Sequence, residues 1–444
     1  GGAARKDGVG PRQRDALAGL LGAREAGLRG RGRGRRRVAA ATEVRLRRGL
    51  VAEQAGPLLE VPLLDGGLPL RSAAAAVQLC AGPHGRPAPI LAVAHGFGAS
   101  LVHLNGKGGR LEGRVIGTCR GEGLDPAVDN PTDTLEQATA VQQLGASLLG
   151  VAGMGRPGHY SGVQLYDISP LMEEDCGAQV PRASTCAPIA TARYPGYCSL
   201  FDMSLLRGPS HRFAVVGSLP SNGRTRAVAG FYSFDALSRE RSLEPTPLAC
   251  LGQTHLPSGA ATAVTKASSA DSCFLGLRDG SLHFVDLRRG FDSEEVSREG
   301  CPPRKVARQR FSGGVREGQG AICSLASGDS AASGDIVVGR VDGTVQRLDT
   351  RTLQLEELGR IGGIPGARYR AAFSSQASLA AAQGSDGELH LFNTESRTSV
   401  CVRRGQARCG ASVSAFYRDE MEVVSGVVVG NEAGLHSCSW SELV

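Results

Sequence analysis

One pattern recurs along this chain: an apolar run, an Asp-Gly pair and a second apolar run. Residues 274–288 carry it around Asp279-Gly280, 336–349 around Asp342-Gly343, and 379–392 around Asp386-Gly387. Residues 427–440 carry a variant around Ala433-Gly434. Asp-Gly between β-prone runs predicts a hairpin whose two central residues take positive φ, which Asp tolerates and Gly adopts freely. Three less regular copies lie upstream, where 90–94 precedes 99–104, 148–152 precedes 162–167, and 213–217 precedes 228–235. Short apolar segments at 321–325, 370–374 and 413–416 stand ahead of several hairpins as further strands.

Seven such units restrict the fold sharply. The turn glycines Gly280, Gly343, Gly387 and Gly434 are 63, 44 and 47 residues apart. A strand, a hairpin and a polar stretch able to hold a fourth strand make one propeller blade, and a period near 40–50 residues marks WD-repeat blades. The expected fold is all-β, a seven-bladed WD-repeat β-propeller over 57–444. A β-sandwich or two unrelated β domains is the competing architecture. The last hairpin ends at Trp440, four residues from the end of the chain, so the outermost strand of the last blade must come from elsewhere. Residues 58–64 are expected to supply it, with Pro62 at an edge because it lacks an N–H. The stretches 105–146 and 289–319 read as insertions, either loops or irregular outer strands.

Composition supports this reading. Glycine numbers 62 of 444 residues, and Gly plus Pro make up about 19%, below the roughly 25–30% of low-complexity chains. So much glycine suits many tight turns and disfavours long helices. The net charge of +7 is unevenly spread. Residues 1–50 hold 13 Arg and one Lys against two Asp and two Glu, a net +10, which leaves −3 for the remainder. Residues 1–56 are read as a basic extension, partly helical or disordered. Asp15 can cap a helix carrying Leu17, Leu20, Leu21 and Leu28 on one face, and 38–50 is a second short helical segment. Three readings stand for the Arg-Gly run at 29–37: a solvated tail shaped by coding bias, a nuclear-import or RNA contact, or part of a transit peptide. Only four of the 50 cationic residues are Lys, which supports the first.

Enzymatic signatures are missing from the sequence. There is no GxSxG elbow, no GxxxxGK[ST] loop and no HExxH. The twelve cysteines form no CxxC pair, which points to reduced thiols in an intracellular, nuclear or cytoplasmic protein with no metal or cofactor. The long uncharged stretch between Arg86 and Lys107 contains two His and an Asn and is a poor membrane span. His283, His390 and His436 share one position in their repeats and read as a structural slot. Asp167, Asp235, Asp286 and Asp349 end the second strand of their hairpins, where a carboxylate closes a turn on nearby N–H groups.

Two of these aspartates belong to a larger motif. Val285-Asp286-Leu287-Arg288 and Leu348-Asp349-Thr350-Arg351 occupy equivalent places in consecutive repeats. They resemble the Trp-Asp-x-Arg box of the WD-repeat substrate receptors of cullin-4 ubiquitin ligases, with Val285 and Leu348 standing where the family has Trp. The resemblance covers roughly 273–444. It includes the turn at 278–280, the Asp-Leu-Arg-Arg-Gly run 286–290, the turn at 342–343, residues 372–375 and the ending 434–440. It implies a non-enzymatic scaffold that docks on the ligase adaptor through Asp286, Arg288, Asp349 and Arg351. Such a scaffold would present a substrate protein as a monomer within a hetero-complex, and residues 15–50 could add a helix-loop-helix to the adaptor contact. The alternative is a general WD-repeat scaffold in a nuclear or RNA-associated assembly that uses the basic segment.

Overall fold

The computed structural model describes residues 59–60 and 76–439, apart from 82–86, 97, 108–109, 121–134, 136, 155–160, 174–183, 195–197, 209–210, 222–223, 236, 238–244, 257–258, 290, 293–304, 307, 312–319, 329–333, 363–367, 376–377, 396, 404–410, 419–423 and 432–433. The proposed helices at 15–28 and 38–50, Pro62 and Trp440 lie outside the described residues.

The chain forms a seven-bladed β-propeller of antiparallel sheets. Blade 1 comprises Ala76–Ala81, Pro87–His95, Gly98–Lys107 and Arg110–Arg120. Blade 2 comprises Gln137–Gly145, Leu148–Met154, Ser161–Asp167 and Pro188–Tyr194. Blade 3 comprises Ser199–Leu205, Arg212–Ser221, Arg224–Ser233 and Ala249–Leu256. Blade 4 comprises Ala261–Lys266, Ser272–Leu277, Leu282–Asp286 and Arg308–Phe311. Blade 5 comprises Ile322–Ser327, Asp335–Arg340, Thr344–Asp349 and Gln354–Arg360. Blade 6 comprises Ala372–Ser374, Leu379–Gln383, Leu389–Asn393 and Thr398–Arg403. Blade 7 comprises Ala411–Arg418, Val424–Asn431 and Gly434–Ser439. Its fourth strand is Leu59–Glu60, with Leu59 opposite Ser437 and Glu60 opposite His436. The first described segment therefore completes the last blade, as the sequence predicts. All seven predicted hairpins are present as the central strand pairs of their blades.

The seams between blades explain the unbroken apolar runs. Side chains alternate across a strand, and both faces of each blade are covered, so most positions of the central strands are buried. In blade 1, Leu91 and Val93 pack toward Val413, Ala415 and Val428 of blade 7. Their neighbours Ile90, Ala92 and Ala94 pack toward Leu149, Val151 and Tyr166 of blade 2. Seven apolar clusters result, one for each seam, and the cluster between blades 7 and 1 closes the ring.

Two expectations need correction. The Asp-Gly turns are not hairpins with two left-handed residues. Gly280, Gly343 and Gly387 have φ of 82°, 85° and 84°, whereas Asp279, Asp342 and Asp386 are absent from the positive-φ residues. Gly280 N–H donates to Leu277 O (3.0 Å), and Gly343 N–H to Arg340 O (2.9 Å). This is a type I turn followed by a left-handed glycine, the three-residue hairpin loop. The aspartate acts through its side chain, whose Oδ1 accepts from the N–H two residues on, at Ser281 (2.9 Å), Thr344 (3.0 Å) and Glu388 (3.0 Å). The second correction concerns 105–146. It supplies the 11-residue outer strand of blade 1 and the innermost strand of blade 2.

Short accessory strands cover blade edges. Ser184–Cys186 adds parallel to the outer strand of blade 1, and Thr246–Pro247 to that of blade 2. Each comes from the connection between the third and fourth strands of the following blade, so consecutive blades overlap at the rim and cover an edge otherwise open to pairing. Among the described residues no helix is long and apolar enough to cross a membrane.

Candidate functional site: the box-bearing face and the central channel

Strands alternate in direction within a blade, so the first and third strands of every blade end on the same face. Asp286 and Asp349 end the third strands of blades 4 and 5. Both boxes therefore lie on one face, and the Asp-Gly turns lie on the other.

The two boxes share a backbone turn and differ in what their arginines do. Asp286 Oδ1 accepts from Arg288 N–H (3.0 Å), and Asp349 Oδ1 from Arg351 N–H (2.9 Å). These bonds hold the Asp349 carboxyl below the usual carboxylate range. Asp167 makes the same turn with Ser169 N–H (2.9 Å) in blade 2. Asn393 makes it with Glu395 N–H (2.9 Å) in blade 6, a copy hidden from the sequence pattern by its amide. Asp235 is different, accepting from His211 N–H and from His211 Nδ1 (2.7 Å). The guanidinium of Arg288 folds back on its own box, with Nε to Asp286 Oδ1 at 2.9 Å and Nη2 to Oδ2 at 2.7 Å. That bidentate pair raises the Arg288 pKa and leaves its side chain 54% exposed. Arg351 is exposed, and its guanidinium makes no ion pair among the described residues. Of the two donor forks expected from the sequence, one is open and the other is already engaged by Asp286.

The residues in the Trp position are structural. Val285 and Leu348 are both fully buried, Val285 in the seam between blades 3 and 4, Leu348 in that between blades 4 and 5. Leu348→Trp is expected to overpack its seam and cost about 1–3 kcal/mol, seen as a lower urea midpoint with an unchanged m-value. An unchanged midpoint would show that the slot has room for an indole.

The same face opens onto the central channel, whose polar residues the sequence did not single out. The innermost strand of blade 7 carries Arg368–Arg370 as a parallel partner on its axis side. Among the described residues the innermost strands of the other six blades have no strand partner there, so their backbone groups need side-chain partners. The preceding blade supplies them. Val264 N–H donates to Asp202 Oδ2 (3.0 Å), Lys266 N–H to Ser204 Oγ (3.2 Å), Ser327 N–H to Thr265 Oγ1 (3.1 Å) and Ala371 N–H to Ser324 Oγ (2.9 Å). Arg370 reaches across the axis. Its Nη1 pairs with Asp202 Oδ1 (2.9 Å), and its Nη2 donates to Thr139 O (3.1 Å) and Phe201 O. Burial pushes the Asp202 pKa up, opposed by Arg370 and by the N–H groups of Val264 and Met203. A cavity of about 280 Å³ adjoins this crossing.

Other polar groups have structural partners. Arg340 is fully buried, with Nε to Gln346 Oε1 (2.7 Å) and Nη1 to Gly320 O (2.9 Å) and Gly280 O (3.3 Å). It ties the Asp-Gly turn of blade 4 to blade 5. Arg347 bridges Asp335 (2.9 Å) and, across the blade 5–6 seam, donates to Thr394 O (3.2 Å). His283 and His390 occupy the same slot in the third strands of blades 4 and 6, His283 close to Ser281 Oγ (3.4 Å) and His390 to Glu388 Oε2 (3.7 Å). Burial lowers the His390 pKa. The described cysteines are free thiols, and burial pushes Cys80 and Cys198 up to about 12, which makes them poor nucleophiles. Among the described residues no three His, Cys, Asp or Glu side chains converge as a metal ligand set. No protein-family model matches the chain, and no curated protein matches it.

Proposed function

We propose that this propeller is a non-enzymatic substrate receptor that docks on the adaptor of a cullin-4 RING ubiquitin ligase through the face bearing Asp286, Arg288, Asp349 and Arg351. The fold is consistent with a protein-interaction scaffold. The observation that supports the finer reading is the pair of Asp-x-Arg boxes, built on equal turns at the ends of equivalent strands in neighbouring blades. Arg351 offers an open donor fork to an adaptor carboxylate. Arg288 offers an exposed fork whose carboxylate partner a stronger acceptor can share. Well-packed arginines at the centre of an interface contribute about 2 kcal/mol or more.

The experiment is a binding measurement with purified adaptor. Wild type is expected to bind, Arg351→Ala to weaken binding more than Arg288→Ala, and the double variant to lose it. Absence of wild-type binding, or equal binding by the double variant, rejects this reading. The general scaffold acting through residues 29–37 predicts instead that removing 1–50 abolishes RNA or partner binding, and that this binding falls steeply with salt.

A further inference from the structure

The channel cavity is rich in cations and hydroxyl donors, with its one carboxylate already engaged. Its lining includes Asp202, Lys266, Thr265, Ser324, Ser414 and Arg370. Asp202 accepts from Arg370 and from the N–H groups of Met203 and Val264, so its charge is neutralised and its oxygens are occupied. Lys266 ends the innermost strand of blade 4, and its ammonium has no acidic partner among the described residues. Arg207 adds a second cation at the mouth. It follows the innermost strand of blade 3, and its Nη2 donates to Gly328 O beyond blade 5's innermost strand (3.3 Å), which carries its side chain past blade 4. Burial and the nearby Arg207 charge both lower the Lys266 pKa.

The hydroxyls point the same way. Ser414 Oγ is buried, with no hydrogen-bond partner among the described residues. Thr265 and Ser324 are 4% and 3% exposed; each accepts one backbone N–H and donates to no acceptor among the described residues. Three buried O–H donors to spare beside an unpaired ammonium is costly unless something accepts them. A cavity of about 280 Å³ is just below the usual ligand-pocket range, roughly 300–1,000 Å³. It suits a small group rather than a peptide.

We propose that this cavity binds a phosphate-class oxyanion, with Lys266 as the paired cation, Arg207 supplying field at the mouth, and Thr265, Ser324 and Ser414 donating hydrogen bonds. Tetrahedral oxyanions carry several acceptors, and charge-assisted bonds to them are among the strongest hydrogen bonds in proteins. The proposal does not depend on the adaptor reading.

The test is calorimetric titration of the full chain with inorganic phosphate, alongside thermal melts. Sodium chloride at matched ionic strength and sodium acetate are run in parallel. Saturable phosphate binding with a rise in melting temperature is expected, and neither chloride nor acetate should reproduce it. Lys266→Gln is expected to weaken phosphate binding at least about tenfold, the loss of one charged hydrogen bond, and Ser414→Ala to weaken it less. Lys266→Arg keeps the charge and should bind within about threefold of wild type, which separates charge from folding defects. Absence of saturable binding, equal stabilisation by chloride or acetate, or unaltered binding by a folded Lys266→Gln protein would overturn the proposal. Adaptor binding by Lys266→Gln should equal wild type, so failure of one reading leaves the other standing.

Discussion

Arg370→Ala is expected to destabilise the propeller by about 3 kcal/mol, the lower end of the range for breaking a buried ion pair. The pair is well but not completely enclosed, with side-chain exposures of 25% for Arg370 and 14% for Asp202. The loss has two parts. The Asp202 carboxylate stays in a low-dielectric channel with only backbone N–H donors, and the carbonyls of Thr139 and Phe201 lose their guanidinium donor. Arg370→Lys keeps the charge without the planar fork and should fall between wild type and Ala. The deficit also depends on pH. Without the cation, the folded-state Asp202 pKa rises further above its unfolded value. The penalty is therefore full at neutral pH and shrinks as acid protonates the carboxyl. Urea midpoints at pH 7 and pH 5 read this directly, and a deficit that grows at pH 5 would contradict it. In a double-mutant cycle, Asp202→Asn with Arg370→Ala should cost less than the sum of the singles.

Gly343→Ala should cost about 2–4 kcal/mol, several times more than Asp342→Ala. Gly343 sits at φ of +85°, where a non-glycine residue is strained by about 1–3 kcal/mol. An added Cβ would also lie 2.5 Å from the backbone oxygen of Ile361, which cannot swing aside as a side chain would. Asp342→Ala removes one hydrogen bond, from Thr344 N–H at 3.0 Å, worth about 0.5–1.5 kcal/mol. Equal costs for the two would mean that the pair works as two left-handed residues after all, and chemical denaturation of both variants decides it.

Much of the fold was legible because a repeated hairpin is local. The apolar runs around Asp279-Gly280, Asp342-Gly343 and Asp386-Gly387 mark strand, turn and strand without reference to the rest of the chain. The closing strand at Leu59–Glu60 was legible for a different reason. A closed ring needs a fourth strand on every blade, and the apolar run ahead of blade 1 was a segment able to supply it to the last one. Residues 110–120 and 137–145 were harder to read. Glycine, glutamine and threonine interrupt their apolar alternation, so nothing local separates them from loop.

The site residues divide the same way. Asp286 and Asp349 act on N–H groups two residues on, so their role follows from sequence neighbours. The pairing of Arg288 with Asp286 is just as local, but sequence alone did not distinguish it from the open fork of Arg351. Asp202 and Arg370 are 168 positions apart, and no spacing rule links them.

By itself the sequence determined the units: seven hairpins, their turn glycines, the carboxylates that close them, and two Asp-x-Arg boxes in adjacent repeats. Those features depend on interactions within a few residues, and local chemistry suffices to specify them. Only the tertiary structure decided which face carries the boxes, which arginine stays open, and how Asp202, Lys266 and Arg370 meet around the axis. Those outcomes depend on ring closure, which brings together groups from blades far apart in the chain and sets the burial that makes their charges matter.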